Sequence, residues 1–383
     1  MFLKFAASPI TLFGKGCRAE LPALLKRENK KHALVVTDMG LEKLGIRKQV
    51  TDLLENEGIK CEVYNKVCPN PTMDNVLEGK EVYSNNECDF IVAVGGGSAN
   101  DCAKAIRMLC ANEGELKDYE GRDKSKVRGS FLVAINTTAG TASEVSRAYI
   151  ISDEVEKKKM IFKDDFVMPD IAVNDTEFMI KLPQSITAQT GMDAFTHAVE
   201  SYLSTTGTEF TKLLAKNAME VIWKWLPEAY ENGEDEMARD QMALGQYMAG
   251  LSFGSSGLGL VHAMAHQLGA LYNLPHGLCN AVLLPTVLKY YSEKNRGILK
   301  EVASILDVEG ISKTENKELD KKCIDMIEAF SDKLGTNKKL RDIGVCESDF
   351  SLLAEKTLLD GCLMTAPEKP TKEEIINLFK IIY

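Results

Sequence analysis

The distribution of strand-like segments is the feature that most constrains the fold of this chain. Up to about Leu182, short runs rich in β-branched residues alternate with helical stretches, a pattern typical of a parallel α/β sheet. Strands are predicted over residues 33–38, 61–67, 90–94, 131–135 and 171–175. Beyond that point strand-like runs disappear, and segments such as 211–230 and 319–334 carry apolar residues at helical spacing. We therefore predict an α/β N-terminal domain, residues 1–183, and an all-α C-terminal domain, residues 184–383.

Length, charge and composition narrow the possible functions. At 383 residues, the chain is too long for one compact core. The net charge of −10 argues against a partner that is nucleic acid or an anionic membrane. No segment approaches the ~20 apolar residues needed to span a bilayer, and the N-terminus lacks the pattern of a signal peptide. The ten cysteines show no CxxC spacing, so we expect reduced thiols in a cytoplasmic protein.

Histidine is rare in this chain, and its distribution points to a metal site. Four of the five histidines fall within residues 197–276. His197 follows Asp193 by four residues and His266 follows His262 by four, which places each pair on one face of a helix. His276 is expected at a turn. A single buried histidine is more often a core residue than a ligand, but the two pairs together favour a divalent ion such as Fe²⁺ or Zn²⁺. The spacing leaves open which of His262, His266 and His276 are ligands.

Three glycines form a second candidate site. Gly95, Gly96 and Gly97 end a buried strand, and a helix is predicted to begin between Ser98 and Asp101. Glycines let backbone N–H groups approach a phosphate, and the helix N-terminus adds positive partial charge. Taken alone, these residues are more often a tight strand-to-helix turn without a ligand. The segment is not the GxGxxG fingerprint of dinucleotide-binding proteins.

Hydroxyl and carboxylate side chains follow two other predicted strands. Thr137 and Thr138 open a hydroxyl-rich run, residues 136–144, which could line a nucleotide crevice at the carboxyl ends of the strands. Asp38 ends the first predicted strand. Its carboxylate could accept hydrogen bonds from an adenosine ribose and repel the extra phosphate of NADP, although its position alone favours a role in forming the turn.

Taken in order, these segments resemble the iron-containing (group III) alcohol dehydrogenase family. The matching motifs are spread over the whole chain at family spacing, and together they are highly specific. They are Gly95-Gly96-Gly97-Ser98 with Asp101, Thr137-Thr138-Ala139-Gly140-Thr141, Gly191-Met192-Asp193-Ala194-Phe195-Thr196-His197-Ala198, and His262-Ala263-Met264-Ala265-His266-Gln267-Leu268-Gly269 continuing to Pro275-His276-Gly277. The resemblance implies a Rossmann-like N-terminal domain, a helical C-terminal domain and a homodimer or larger oligomer.

The resemblance also assigns residues to roles. It makes Asp193, His197, His262 and His276 the ligands of one divalent metal ion, Fe²⁺ with Zn²⁺ as the alternative. It places His266 near the nicotinamide and the substrate as a candidate for proton relay. The implied NAD-binding residues are Asp38 at the ribose, Asn70 near the cofactor, Gly95, Gly96, Gly97 and Ser98 at the pyrophosphate with Asp101 in the same motif, and Thr137, Thr138 and Lys159 at the nucleotide.

The implied reaction is the interconversion of a small primary alcohol or diol and its aldehyde. The metal ion is expected to stabilise the alkoxide while hydride passes to the nicotinamide ring of NAD. Two departures from the family pattern bear on the substrate. Asn136 and Ala142 stand where many members carry Pro and Gly, as in the branch of 1,3-propanediol and NAD-dependent methanol dehydrogenases. The small residues of segment 253–257 replace an Asn-rich stretch of that branch, which suggests a bulkier or anionic aldehyde.

Three other functions are compatible with parts of the same pattern. A metal-dependent lyase resembling dehydroquinate synthase would need several basic residues for a phosphorylated substrate, and the His-rich segment does not supply them. A cofactor-free metal hydrolase would leave the Gly and Thr loops unexplained. A non-catalytic nucleotide sensor would not need a complete ligand set.

Overall fold

The computed structural model describes residues 4–180, 182–309 and 314–383. The chain divides into two compact units. One is Ala6–Lys181, and the other is Leu182–Tyr383 together with Met1–Phe5.

The first unit is built on a parallel sheet. The strands within the described residues are β1 (Ile10–Phe13), β2 (His32–Val36), β3 (Lys60–Tyr64), β4 (Phe90–Gly95), β5 (Gly121–Arg122), β6 (Phe131–Asn136), β7 (Ala148–Asp153), β8 (Lys158–Lys163) and β9 (Ile171–Asn174). Six of them form one sheet in the order β1-β9-β6-β4-β2-β3, and each of its pairings is parallel. The first five helices of the chain also belong to this unit: α1 (Leu21–Arg27), α2 (Met39–Lys43), α3 (Ile46–Glu55), α4 (Met73–Asn85) and α5 (Gly97–Ala111).

Strand β4 illustrates why these segments become strands. Phe90, Val92 and Val94 pack into one hydrophobic cluster, whereas Ile91 and Ala93 pack into another. Because alternate side chains point to opposite faces, a strand with a core on both sides must be apolar throughout. The uninterrupted apolar run in the sequence is the consequence.

A smaller sheet was not predicted from the sequence. It has the order β5-β8-β7, with β7 and β8 antiparallel. One further difference concerns a segment boundary. The turn expected after β2 is the start of α2, which begins at Met39.

The secondary structure of the second unit is helical, with no strand among its described residues. Its helices are α6 (Gln184–Leu203), α7 (Glu209–Glu231), α8 (Glu236–Ser256), α9 (Leu260–Tyr272), α10 (His276–Lys294), α11 (Lys300–Ile305), α12 (Asn316–Lys333), α13 (Phe350–Leu358) and α14 (Lys372–Ile381). The predicted fold class, an α/β unit followed by an all-α unit, is confirmed. Within these described ranges, no helix has the length and apolar character that crossing a membrane requires.

Candidate active site

Four predicted ligands converge in the helical unit. Asp193 and His197 lie one turn apart on α6, His262 is on α9, and His276 is the first residue of α10. Oδ1 of Asp193 lies 3.9 Å from Nε2 of His197, 3.8 Å from Nε2 of His262 and 3.6 Å from Nε2 of His276. Each distance is shorter than twice the ~2.1 Å of a metal–ligand bond. One ion can therefore reach the carboxylate and all three imidazoles.

A glycine permits this convergence. A Cβ atom at Gly277 would lie 2.1 Å from the backbone oxygen of Gln189 on α6, well inside van der Waals contact. Only glycine lets the first turn of α10 approach α6 so closely. The close approach brings His276 beside Asp193.

The burial and charge of the cluster suit it to a cation. Asp193, His197 and His262 are buried, and the side chain of His276 is 24% exposed. Burial opposes ionisation of Asp193, but the facing imidazoles outweigh it and hold the pKa of this carboxyl well below its usual range. Burial likewise opposes the charged form of His262, yet its carboxylate neighbours raise the pKa of this imidazole to about 9. The cluster stabilises positive charge, which protons or a metal ion can supply.

Sequence reasoning missed a second carboxylate behind the cluster. Oε2 of Glu200 lies 2.6 Å from Nδ1 of His262, so that Nε2 of this ring faces Asp193. Glu200 also accepts hydrogen bonds from the backbone N–H groups of Gly259 and Val261 at 3.1 and 2.7 Å. A carboxylate that fixes the ring orientation of a histidine is a common partner of a metal ligand. A signal was present, because Glu200 follows Asp193 by seven residues and so shares its helix face.

Sequence reasoning also missed Asn280, one turn after His276 on α10. Its Nδ2 lies 2.6 Å from Oδ1 of Asp193, 3.0 Å from Nε2 of His262 and 3.2 Å from Nε2 of His276. Its Oδ1 is buried without a hydrogen-bond partner within the described residues. The carboxamide thus lies against three of the four predicted ligands, and it carries a buried oxygen atom suited to a cation or to a hydroxyl group.

His266 has a partner of its own. Its Nδ1 lies 2.9 Å from Oδ2 of Asp360, and its ring stacks on that of His276 with centroids 5.4 Å apart. Burial opposes ionisation of Asp360, but His266 and the N–H of Cys362 hold the pKa of this carboxyl below its usual value. With Nδ1 held by the carboxylate, Nε2 is the ring atom of His266 left to exchange a proton with a bound molecule.

In the α/β unit, the predicted nucleotide residues follow neighbouring strands. Thr137 and Thr138 follow β6, Asp38 follows β2, and Asn70 follows β3. Gly95 is the last residue of β4, and Gly96, Gly97 and Ser98 come directly after it. These strands are adjacent and parallel. The residues therefore share the carboxyl edge of the sheet, where open α/β sheets bind ligands.

The glycine loop is shaped by the threonines beside it. A Cβ at Gly96 would lie 2.8 Å from Oγ1 of Thr138, and one at Gly97 would lie 3.0 Å from Cγ2 of Thr141. Oγ1 of Thr138 is buried and has no hydrogen-bond partner within the described ranges. The loop leads into α5, whose N-terminal N–H groups favour an anion. A phosphate of a nucleotide fits this cradle.

Asp101 acts within the protein. Its carboxylate accepts hydrogen bonds from Oγ of Ser143 at 2.7 Å and from the backbone N–H of Ile150 at 3.0 Å. Burial raises the pKa of this carboxyl, although the positive charges of Lys104 and Lys159 oppose the shift. Asp101 therefore ties α5 to the hydroxyl-rich loop and to β7. Lys159 lies on β8, opposite Ser152 of β7.

Three residues, Asp38, Asn136 and Ala142, have local structural roles. Oδ1 of Asp38 accepts hydrogen bonds from the N–H groups of Gly40 and Leu41 at 2.7 and 3.0 Å, so it caps α2. Asn136 accepts a hydrogen bond from the N–H of Thr138 at 3.2 Å, which orders the start of the loop. Ala142 has φ of +51°, a conformation that favours glycine.

The segment 253–257 ends α8 next to the candidate ligands. The ring of Phe253 stacks on that of His197, with centroids 4.4 Å apart. A Cβ at Gly254 would meet no atom within 4 Å. Segment 253–257, which departs from the family pattern, therefore lies beside a predicted ligand. No atom occupies the space that a side chain at Gly254 would take.

Comparison with known proteins shows the family to which this chain belongs. The family model for iron-containing alcohol dehydrogenases matches residues 8–176, and the model for the C-terminal part of the Fe-containing alcohol dehydrogenase family matches residues 187–383. Alcohol dehydrogenase 4 of Schizosaccharomyces pombe is 44% identical over 98% of this chain and 88% of its own length. NAD-dependent methanol dehydrogenase of Bacillus methanolicus is 36% identical over 98% of each chain.

A solved structure has the same backbone fold as this chain. The crystal structure of a 1,3-propanediol oxidoreductase superposes with a TM-score of 0.96 at 37% identity, over 100% of both chains. The predicted resemblance is confirmed, and the lyase and hydrolase alternatives are not favoured. The chain therefore belongs to the iron-containing alcohol dehydrogenase family and is an oxidoreductase of the alcohol dehydrogenase class.

Proposed function

We propose that this protein is an NAD-dependent dehydrogenase that uses one divalent metal ion to interconvert a small primary alcohol or diol and its aldehyde. In this proposal, residues 1–183 bind NAD and residues 184–383 hold the metal ion. The observation that carries the proposal is the buried Oδ1 of Asp193, which has three imidazole Nε2 atoms within 3.6 to 3.9 Å.

The ligands of the ion are Asp193, His197, His262 and His276. A set of one carboxylate and three imidazoles, with no sulfur, suits Fe²⁺, and Zn²⁺ is the alternative. Three features support a bound cation: the lowered pKa of Asp193, the hydrogen bond that orients His262, and the buried Oδ1 of Asn280. The name of the family favours iron.

The cofactor is NAD, held at the carboxyl edge of the parallel sheet. Gly95, Gly96, Gly97 and Ser98 take the pyrophosphate, and the buried Oγ1 of Thr138 is a hydrogen-bonding group for it. The negative charge of Asp38 disfavours the 2′-phosphate of NADP. A relative named as NAD-dependent supports this choice. In the proposal, Asn70, Thr137 and Lys159 contact the nucleotide, and Asp101 positions the loop.

The metal ion supplies Lewis-acid chemistry that lowers the cost of deprotonating an alcohol, and NAD accepts the hydride. The residues of the chain orient two histidines and transfer the proton of the substrate. Glu200 holds His262 in the tautomer that carries its proton on Nδ1. Asp360 does the same for His266, so that Nε2 of His266 takes the proton of the alcohol and returns it to an aldehyde during reduction. Burial of these groups strengthens their electrostatic interactions.

The substrate is a small alcohol or aldehyde, and the open space at Gly254 favours one bulkier than the smallest members of the class. Phe253 of the same segment stacks on His197, which places the segment beside the predicted ligands. A panel of alcohols of increasing size tests this point. Strict preference for the smallest neutral alcohols would contradict it.

One experiment tests the central proposal. Formation of NADH is followed by absorbance with short alcohols and diols, before chelation, after chelation, and after addition of Fe²⁺ or Zn²⁺, with NADP⁺ in parallel. We expect activity that is lost on chelation, restored by one ion and higher with NAD⁺. No turnover of any alcohol or aldehyde by protein with bound metal and bound NAD would contradict the proposal.

The proposal also covers the oligomeric state of the protein and its location in the cell. We infer a homodimer or larger homo-oligomer, which light scattering of the purified protein tests. A cytoplasmic location is tested by cell fractionation. A monomer, or recovery in the membrane or secreted fraction, would overturn the respective inference.

A further inference from the structure

A second group of potential metal ligands lies in the helical unit. His266, Asp360 and Cys362 each offer a ligand atom, and these atoms all lie within 4.8 Å of one another. None of the three belongs to the Asp193 cluster. Nδ1 of His266 lies 2.9 Å from Oδ2 of Asp360, and Oδ1 of Asp360 accepts a hydrogen bond from the backbone N–H of Cys362 at 2.9 Å.

Two of the three residues are buried, so packing of the protein fixes their relative positions. His266 is 4% exposed and Asp360 is 8% exposed, whereas Cys362 is partly exposed. Nε2 of Gln267 donates a hydrogen bond to Oδ2 of Asp360 at 3.2 Å, and this contact holds the carboxylate toward His266. Metal-binding carboxylates are commonly oriented by such an outer hydrogen bond. The partial exposure of Cys362 places the group next to solvent.

The donor atoms of the two groups differ in chemistry. The Asp193 cluster has one oxygen and three nitrogen donors, whereas the second group has one oxygen, one nitrogen and one sulfur. A thiolate favours soft ions, and imidazole with thiolate and carboxylate suits Zn²⁺ and its heavier analogue Cd²⁺ more than Fe²⁺. Three protein ligands leave the fourth position of a tetrahedral ion to water.

We infer that His266, Asp360 and Cys362 form a second, regulatory site for a thiophilic divalent ion such as Zn²⁺. The ion binds the Cys362 thiolate, the Asp360 carboxylate and a His266 ring nitrogen, and the proton of the thiol is released to solvent. If Nδ1 is the nitrogen used, its proton leaves as well. The two histidines of the α9 pair then serve different ions, His262 the Asp193 cluster and His266 the second group.

Occupancy of the second site inhibits the enzyme. An ion on Nδ1 of His266 replaces the hydrogen bond to Asp360, and an ion on Nε2 occupies the atom that exchanges the proton. Either one removes this histidine from proton transfer. It also adds positive charge near the first site, because the rings of His262 and His266 are 6.1 Å apart and those of His266 and His276 are 5.4 Å apart. The inhibitory consequence rests on the proposed function, whereas binding of the ion does not.

Binding is tested with Cd²⁺ alone, because a cadmium–thiolate bond adds ultraviolet absorbance. Full-length protein is titrated with Cd²⁺ as wild type and as Cys362→Ser and Cys346→Ser variants, all three loaded with Fe²⁺, and as an Asp193→Ala variant that lacks a ligand of the first site. Cys346 is an exposed thiol and serves as the matched control. We expect the absorbance in wild type, Cys346→Ser and Asp193→Ala, and its loss in Cys362→Ser. Equal absorbance in Cys362→Ser and wild type, or loss only in Cys346→Ser, would overturn the inference.

Inhibition is tested with Zn²⁺ added to the Fe²⁺-loaded enzyme, with each variant compared with its own uninhibited rate. We expect the inhibitory Zn²⁺ concentration to rise about tenfold or more in Cys362→Ser and to stay unchanged in Cys346→Ser. Equal inhibition of the two variants would overturn the regulatory role. If the wild type oxidises no alcohol, the proposed function fails, and the Cd²⁺ titration still decides whether the second site exists.

Discussion

Oε2 of Glu200 lies 2.6 Å from Nδ1 of His262, where helix α9 begins. The same carboxylate accepts hydrogen bonds from the N–H groups of Gly259 and Val261, two of the donors that a helix N-terminus leaves without a partner. A Cβ at Gly259 would lie 2.8 Å from Oε1 of Glu200, so only glycine admits the carboxylate. One buried side chain thus caps the helix and orients a predicted metal ligand.

Glu200→Gln is expected to weaken metal binding about 10- to 100-fold, the usual effect of losing an outer partner of a metal-binding histidine. The amide lacks the negative charge, and its NH₂ group meets backbone N–H donors. Competition with a chromophoric chelator measures the affinity for Fe²⁺ and Zn²⁺. Glu209→Gln, at the exposed start of α7, is the matched control. Equal metal affinity in the two variants would show that Glu200 has no role in the metal site.

Gly277→Ala is expected to destabilise the protein by about 1–3 kcal/mol and to weaken metal binding. In most helices the same change is stabilising by up to about 1 kcal/mol, but here the new Cβ would lie 2.1 Å from the backbone oxygen of Gln189. Relief of that clash moves His276 away from Asp193. Denaturant unfolding and chelator competition measure the two effects.

The control is Gly254→Ala in α8, where a new Cβ meets no atom within 4 Å. This variant should unfold at the same or higher denaturant concentration than wild type and bind the metal ion equally well. If Gly277→Ala and Gly254→Ala have equal stability and equal metal affinity, the close packing of α10 on α6 does not hold the cluster together.

The sequence predicted those features that depend on local pattern. The buried strands are continuous apolar runs because both faces of the sheet are covered, as in β4. The i,i+4 pairs 193/197 and 262/266 mark one face of a helix each, and both pairs lie on helices in the structure. The strands β7 and β8 were not predicted, since alternate side chains of each strand are only partly buried and the apolar signal in the sequence is therefore weaker.

Contacts between distant residues could not be predicted in this way. Glu200 and His262 are separated by 62 positions, and His266 and Asp360 by 94. Asp360 stands in no motif that spacing identifies, because its partner is supplied by packing of the segment after α13 against α9. Glu200 could have been predicted, because it follows Asp193 by seven residues and therefore lies on the same helix face. The prediction considered only the i,i+4 pairs that contain histidine.

His276→Ala and His266→Ala are expected to separate metal binding from proton transfer. The spacing of the histidines alone could not distinguish the two residues. His276→Ala removes a ligand, so it should lose bound Fe²⁺ together with activity. His266→Ala should keep Fe²⁺ and lose about 10²- to 10⁴-fold in kcat, the range for loss of a general acid–base. Metal analysis of the purified variants beside their rates measures both. Loss of Fe²⁺ from His266→Ala would make that residue a ligand and contradict the proposed roles.

Asp38→Ser is expected to relax the choice between NAD and NADP without loss of stability. Oδ1 of Asp38 caps α2 through the N–H groups of Gly40 and Leu41, and serine is an equally good cap. Serine lacks the negative charge that would repel a 2′-phosphate, so kcat/KM for NADP⁺ relative to NAD⁺ should rise at least about tenfold, or about 1.4 kcal/mol. Asp38→Ala should relax the choice similarly but also cost about 1 kcal/mol in the free energy of unfolding. If the cofactor ratio stays unchanged in both variants while only the alanine variant is destabilised, Asp38 is a helix cap and nothing more, and cofactor preference must come from other residues at the edge of the sheet.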